Sequence, residues 1–172
     1  MTTTADTMAT PTLADAIAAN PTAALEDIAR AAGTTPLAVL EALPRGEVTH
    51  LPGSLMAEAL DDIAHWGEIT FIVNTGAVIL EAKGPMHGGT VAHGMYNLKG
   101  KPISGHLSVD ACARVAFVRR KLFSSETRSV QFYDHDGNCL FKVYLGRDAQ
   151  RQLIPEQIAA FDTLEARLLA GA

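Results

Sequence analysis

The hydrophobic pattern of this chain changes period near Trp66. Before that point apolar residues recur at the spacing of one helix face. After it they alternate, or run in short blocks bounded by turn residues, as strands do, until a last helical stretch follows. Helices in one block and strands in another do not make the alternating units of a parallel sheet. They point to an α+β fold with a helical N-terminal third, an antiparallel sheet of about seven strands and a C-terminal helix.

The helical block has readable ends. Residues 1–11 are small and polar and are expected to be disordered. Thr12 is a candidate N-cap for "LADAIAA", with Leu13, Ala16 and Ile17 on one face and a stop at Asn20-Pro21. Leu25, Ile28, Ala29 and Ala32 carry a second helix that ends at Gly33. Thr35 and Pro36 open a third, which Pro44 closes. A fourth is predicted from Gly53 to His65, with Leu55, Ala59, Leu60 and Ile63 facing one way. The expected organisation is thus a single domain over 12–172, with a helical cap at 12–66 and a sheet plus helix at 67–172.

In the strand block, "EITFIVNTGAVILEAKG" reads as two strands about an "NTG" turn. "TVAHGMYNLKG" and "PISGHLSVD" read as one strand each. "ACARVAFVRRKLF" and "RSVQFYDHDGNCLFKVYLG", with its "DHDG" turn, supply three more. In the last helix Ile158, Phe161, Leu164 and Leu168 form the apolar stripe behind Pro155.

Composition narrows the function. Net charge is -5, so nucleic acid is not an expected partner, because phosphate binding needs a basic surface. The helix pair within 22–43 resembles a helix-turn-helix, but "PLAVLEAL" offers no side chain that reads bases and is taken as a packing device. No apolar run approaches the roughly 20 residues that span a bilayer, and the start lacks the features of a secretory signal. A cytoplasmic protein with no membrane partner is expected. Cys112 and Cys139 lie in apolar strand-like runs and read as buried thiols. No nucleotide loop, nucleophile elbow or zinc-spaced cysteine pair is present.

The stretch His87–Val109, "HGGTVAHGMYNLKGKPISGHLSV", concentrates the chemistry. It holds His87, His93 and His106. Alternation along a continuous strand would put His93 and Met95 on one face and Tyr96 on the other. A bulge at Gly94 would exchange Met95 and Tyr96. On the next strand His106 shares a face with Ser104 and Ser108, while Ile103, Leu107 and Val109 face the core. Imidazole, phenolate and thioether are all axial ligands of haem iron. "ARVAFVRRKLF" would add an apolar wall in Val115, Phe117 and Val118, and cations for propionates in Arg114, Arg119, Arg120 and Lys121. The plainer reading is a set of half-exposed polar residues on a wet sheet.

The segments "WGEITFIVNTGAVILEAKGPMHGGTVAHGMYNLKG", "ISGHLSVDACARVAFVRRKLF" and "FKVYLGRDAQRQLIPEQIAAFDTL" resemble the ChuX/HutX family of intracellular haem-utilisation proteins, with the similarity running from Leu13 to Leu168. The resemblance implies a noncovalent haem carrier or store that accepts haem after import and delivers it to a haem-degrading enzyme. It implies half of a HemS/ChuS-like split barrel, assembled as a homodimer. The alternative function is a haem-degrading or iron-releasing enzyme that draws electrons from outside. The histidine of the family's "SGH" motif falls at His106, the expected axial ligand. The family's "HGYFNL" is "HGMYNL" here, so its ligand tyrosine is replaced by Met95, with Tyr96 following. Met95 or Tyr96 is the candidate second ligand, His93 could assist, or His106 binds alone. A second histidine of some members falls at Asn74. Replacing a tyrosinate by Met implies a higher reduction potential.

Overall fold

The computed structural model describes residues 10–172. The expectation of a disordered start, made for 1–11, lies outside the described residues up to position 9. Three short helices come first: α1 (Leu13–Ala19), α2 (Leu25–Ala32) and α3 (Pro36–Glu41). Their ends are those the sequence announces. Thr12 Oγ1 accepts from the Asp15 amide and Thr35 Oγ1 from the Ala38 amide, each at 3.2 Å. Gly33 ends α2 in the left-handed region at φ 63°.

Strand β1 (Val48–Pro52) follows, then a 3-10 turn and α4 (Met56–Ile63). The helical third therefore contains a strand that the sequence reading assigned to no element. Its five residues pair antiparallel with the first five residues of a later strand, Arg114 to Val118, and Pro52 falls at its end, where a missing donor is tolerated.

Beyond Trp66 come β2 (Glu68–Asn74), β3 (Ile79–Pro85), β4 (Gly89–Ala92), β5 (Met95–Leu98), β6 (Gly105–Ser108), β7 (Arg114–Leu122), β8 (Ser125–Tyr133) and β9 (Cys139–Tyr144). Helix α5 (Pro155–Gly171) comes last. The α+β class holds, with a large antiparallel sheet and a C-terminal helix. The strands form two sheets where about seven in one were expected. Six form a sheet in the order β1-β7-β8-β9-β2-β3, and three form a small sheet, β4-β5-β6. "TVAHGMYNLKG" is a hairpin and not one strand. His93 and Gly94 have φ of 54° and 75°, and two successive positive φ values make the tight reversal that twisted hairpins favour.

The large sheet is buried on both faces along β7 and β8, and β7 shows the division. Val115 and Phe117 face α4, α5 and the small sheet, in a core with Phe132, Phe141, Val143 and Phe161. Ala116 and Val118 face α1–α3, with Leu25, Ile28, Val39 and Leu40. Helices α2 and α3 are thus packing elements, as their sequence implied. Cys112 and Cys139 are free thiols, and burial pushes them up to about 11 and about 12, so neither is a ready thiolate.

One ion pair ties α2 to the sheet. Lys142 Nζ donates to the Glu26 carboxylate, 2.7 and 2.9 Å from its two oxygens, and both side chains are buried. Removing one partner of such a pair strands the other charge. Glu26→Gln is therefore expected to cost about 3–5 kcal/mol in chemical denaturation, with the double Glu26→Met/Lys142→Met chain recovering much of it. A loss below about 1 kcal/mol, the scale of an exposed pair, would contradict this.

Candidate site on the small sheet

The small sheet has a core face and an open face, and its register assigns residues to each. Ala92 lies opposite Met95 and Thr90 opposite Asn97. Across the other ladder Met95 faces Ser108, and Asn97 faces His106. Residues opposite each other in an antiparallel pair project to the same side. The open face is therefore built from Thr90, Ala92, Met95, Asn97, His106 and Ser108, all exposed or half-exposed.

The core face is anchored by Tyr96, which is 1% exposed. Its hydroxyl donates to Asp61 Oδ1 of α4 at 2.5 Å and accepts from the Gly89 amide at 2.8 Å. A Cβ at Gly89 would lie 2.5 Å from the Tyr96 ring, so the glycine makes room for the phenol. Burial first, then the hydrogen bond to Asp61, push the Tyr96 pKa up to about 12 against a weaker opposing pull from Gly89. The β5 ladders are regular, with no bulge at Gly94 to turn the ring outward. Tyr96 is withdrawn as an iron ligand: it faces the core, it is engaged, and its phenol is held neutral.

His106 is exposed, with Nδ1 2.6 Å from Asn97 Oδ1. Asn97 Nδ2 in turn donates to the carbonyls of Thr90 and Met95, each at 3.0 Å. Met95 is 38% exposed and is the diagonal neighbour of His106. His93 is not on a strand beside Met95, as expected, but in the β4–β5 turn. His87 is also off the strands, with Nε2 3.1 Å from the Lys101 carbonyl.

The two arginines expected at the site are not there. Arg119 and Arg120 are consecutive on β7 and point to opposite faces of the large sheet. Arg119 is bound to Glu165 and, at 2.9 Å, to Asp162 of α5, and its guanidinium lies 4.8 Å from the Phe161 ring centroid. Arg120 is buried, donating to the Pro21 carbonyl at 2.6 Å and the Ala23 carbonyl at 2.8 Å. Asn74 accepts from the Gly76 amide at 2.8 Å and shapes the β2–β3 turn.

A cavity of about 180 Å³ opens between α2 and the large sheet, lined by residues that include Glu26, Ile72, Arg120, Phe123 and Lys142. It is smaller than the roughly 300–1,000 Å³ of ordinary ligand pockets. It also lies on the side of the sheet away from the small sheet. Among the described residues no group of three or more His, Cys, Asp or Glu side chains could cage a metal ion. The open face offers one imidazole and one thioether beside a flat surface. That suits a planar group with its own equatorial ligands better than a bare cation.

Asp61 and Asn97 were absent from the sequence reading. Asp61 is brought to Tyr96 only by the docking of α4. Asn97 could have been found from alternation, two positions after Met95, had the register with His106 been known.

All three tyrosines, Tyr96, Tyr133 and Tyr144, are raised, by burial first. A phenol whose folded pKa exceeds its unfolded value adds stability that is full below about pH 10 and is lost as pH rises through the folded value. Phenolate absorbance should therefore appear only above about pH 10, together with loss of the folded circular-dichroism signal. A phenol that ionises near neutral pH would contradict this burial.

Comparison with known proteins agrees with the fold. The family model "Haem utilisation ChuX/HutX" matches residues 49–164. The intracellular heme transport protein HutX of Vibrio cholerae is 36% identical over 129 residues, covering 74% of this chain and 67% of HutX. A crystal structure of an Erwinia carotovora protein superposes with a TM-score of 0.86 at 42% identity, covering 92% of this chain and 99% of that one. The heme-binding protein ChuX superposes at 0.81 and 36% identity, covering 92% and 99%. Longer proteins share the fold alone. PhuS of Pseudomonas aeruginosa matches at 16% identity and a TM-score of 0.72, with 95% of this chain covering 51% of that one. For ChuS of E. coli the values are 17%, 0.67, 83% and 43%. The chain thus corresponds to about half of these longer proteins, as expected for half of a HemS/ChuS-like split barrel.

Proposed function

The chain belongs to the ChuX/HutX haem-utilisation family, and from that premise we propose that it is a noncovalent haem carrier whose site is the open face of the small sheet. His106 is the axial ligand. The observation that carries this reading is the placement of His106: exposed on a strand, one ring nitrogen tied to Asn97, the other without a partner among the described residues. The names of HutX and ChuX, a heme transport and a heme-binding protein, support the class of ligand.

Axial ligands approach iron from opposite sides of the macrocycle. His106 and Met95 rise from one sheet face on neighbouring strands, so they reach a porphyrin from the same side. His106 therefore ligates alone from this sheet, and Met95 packs against the ring. An imidazole nitrogen stabilises ferric iron less than a tyrosinate does, which raises the reduction potential over that of a tyrosinate-ligated relative.

A flat face covers one side of the macrocycle, whereas bound ligands of this size are buried over most of their surface. The second wall would come from another copy of this chain. The edge strand β3 and its turn leave Val78, Ile79 and Leu80 at 52%, 61% and 64% exposure, an apolar edge of the kind that pairs with another chain. In this reading a homodimer completes the cleft. A single protein ligand on an open face also suits release to a haem-degrading acceptor. Among the described residues no helix is long and apolar enough to cross a membrane, and the intracellular description of HutX supports action in the cytoplasm. The alternative is a haem-degrading enzyme, and it makes a different prediction under reductant.

A hemin titration should saturate near one haem per chain, and His106→Ala should lose or shift the Soret band. A mutant spectrum identical to wild type would overturn the assignment. Under ascorbate and air, with catalase present, the Soret band should persist, whereas bleaching to a verdohaem-like product would identify the enzyme.

A further inference from the structure

We propose that Asn97 is a positioning residue that fixes the tautomer and ring plane of His106, presenting the Nε2 lone pair to the ligand. The proposal rests on the reading of His106 as the axial ligand, and it follows from a chain of donor and acceptor constraints. The carbonyl oxygens of Thr90 and Met95 each lie 3.0 Å from the Asn97 amide nitrogen. Carbonyl oxygens only accept, so the NH2 end of the amide must point at them. The other end, Oδ1, then points at His106 Nδ1, 2.6 Å away. An amide oxygen also only accepts, so Nδ1 must carry the proton. In a neutral imidazole the lone pair is then on Nε2, the nitrogen that faces away from Asn97.

Two backbone carbonyls thus dictate which nitrogen of His106 can bind iron. The opposite tautomer would set a nitrogen lone pair against the amide oxygen and forfeit the hydrogen bond. The backbone of the device is equally constrained. Asn97 lies on the middle strand of the small sheet, directly opposite His106 in a regular ladder, and buried residues, Tyr96 and Leu98, flank it. The amide therefore has little freedom to turn. A hydrogen bond to the far nitrogen of a ligating histidine orients the ring and makes it a better donor.

The test has two arms. In the haem-free wild type, long-range 1H–15N correlation at a pH where histidine is neutral should show His106 with a protonated Nδ1 and an unprotonated Nε2. The reverse tautomer, or the mixture of a free histidine, overturns the proposal without any variant having to fold. In the haem complex, Asn97→Leu should weaken binding by about 10–100-fold and raise the reduction potential, because the acceptor is gone. Asn97→Asp keeps an acceptor and adds negative charge but loses the N–H that the two carbonyls hold, so it should bind haem more weakly than wild type and more tightly than Asn97→Leu, with a lower potential than Asn97→Leu. If both variants fold and both match wild type in affinity and potential, Asn97 positions nothing. His106→Ala separates the two claims. If it leaves the haem spectrum unchanged, the ligand assignment fails. If it abolishes the spectrum while Asn97→Leu changes nothing, only the positioning role fails.

Discussion

Tyr96 reaches from the middle strand of the small sheet into the space beneath α4, where its hydroxyl donates to Asp61 and accepts from Gly89. That contact fixes which way the small sheet faces. With Tyr96 and Leu98 turned into the core, alternation leaves Met95 and Asn97 outward, and register places His106 beside them. A slip of one residue would exchange the two sets and bury the candidate ligands. The same constraint explains why Tyr96 is not free to serve as a ligand on the open face. The ring that would have to ligate is the one that holds the sheet in place.

The large sheet plays a complementary part. Along β7 and β8 it is packed on both faces, so the side chains there are committed to structure. Arg119 binds the acids of α5 on one face, and Arg120 holds the α1–α2 connection on the other. Lys142 is neutralised by Glu26. Two of the four cations in "ARVAFVRRKLF", Arg119 and Arg120, are thus spent within the fold. The outer face of the small sheet and the apolar edge at β3 stay open.

The sequence displayed the features with a local cause. The period change at Trp66 marks the α+β division, and Thr12, Gly33, Thr35 and Pro36 mark helix ends because each satisfies or breaks a specific backbone requirement. His106 was legible from the resemblance and from its place between Gly105 and Leu107. Features with a long-range cause were hidden. Strand β1 exists because β7 offers it a partner, and five residues of weak alternation do not announce that. The division of one expected strand into the β4–β5 hairpin turns on His93, a non-glycine residue with positive φ, for which the adjacent Gly94 was the local hint. Alternation along β7 was readable, but which helices cover each face was not, so Arg119 and Arg120 were assigned to one site. Asp61 and Asn97 acquire their roles only through docking and register.

The account reduces to a location: haem on the open face of the small sheet, iron on His106. An experimental structure of the haem complex tests it most directly. The account predicts iron bonded to Nε2 of His106, with the macrocycle lying over Met95. Iron held by another residue, or haem seated in the cavity between α2 and the large sheet near Arg120, would contradict it.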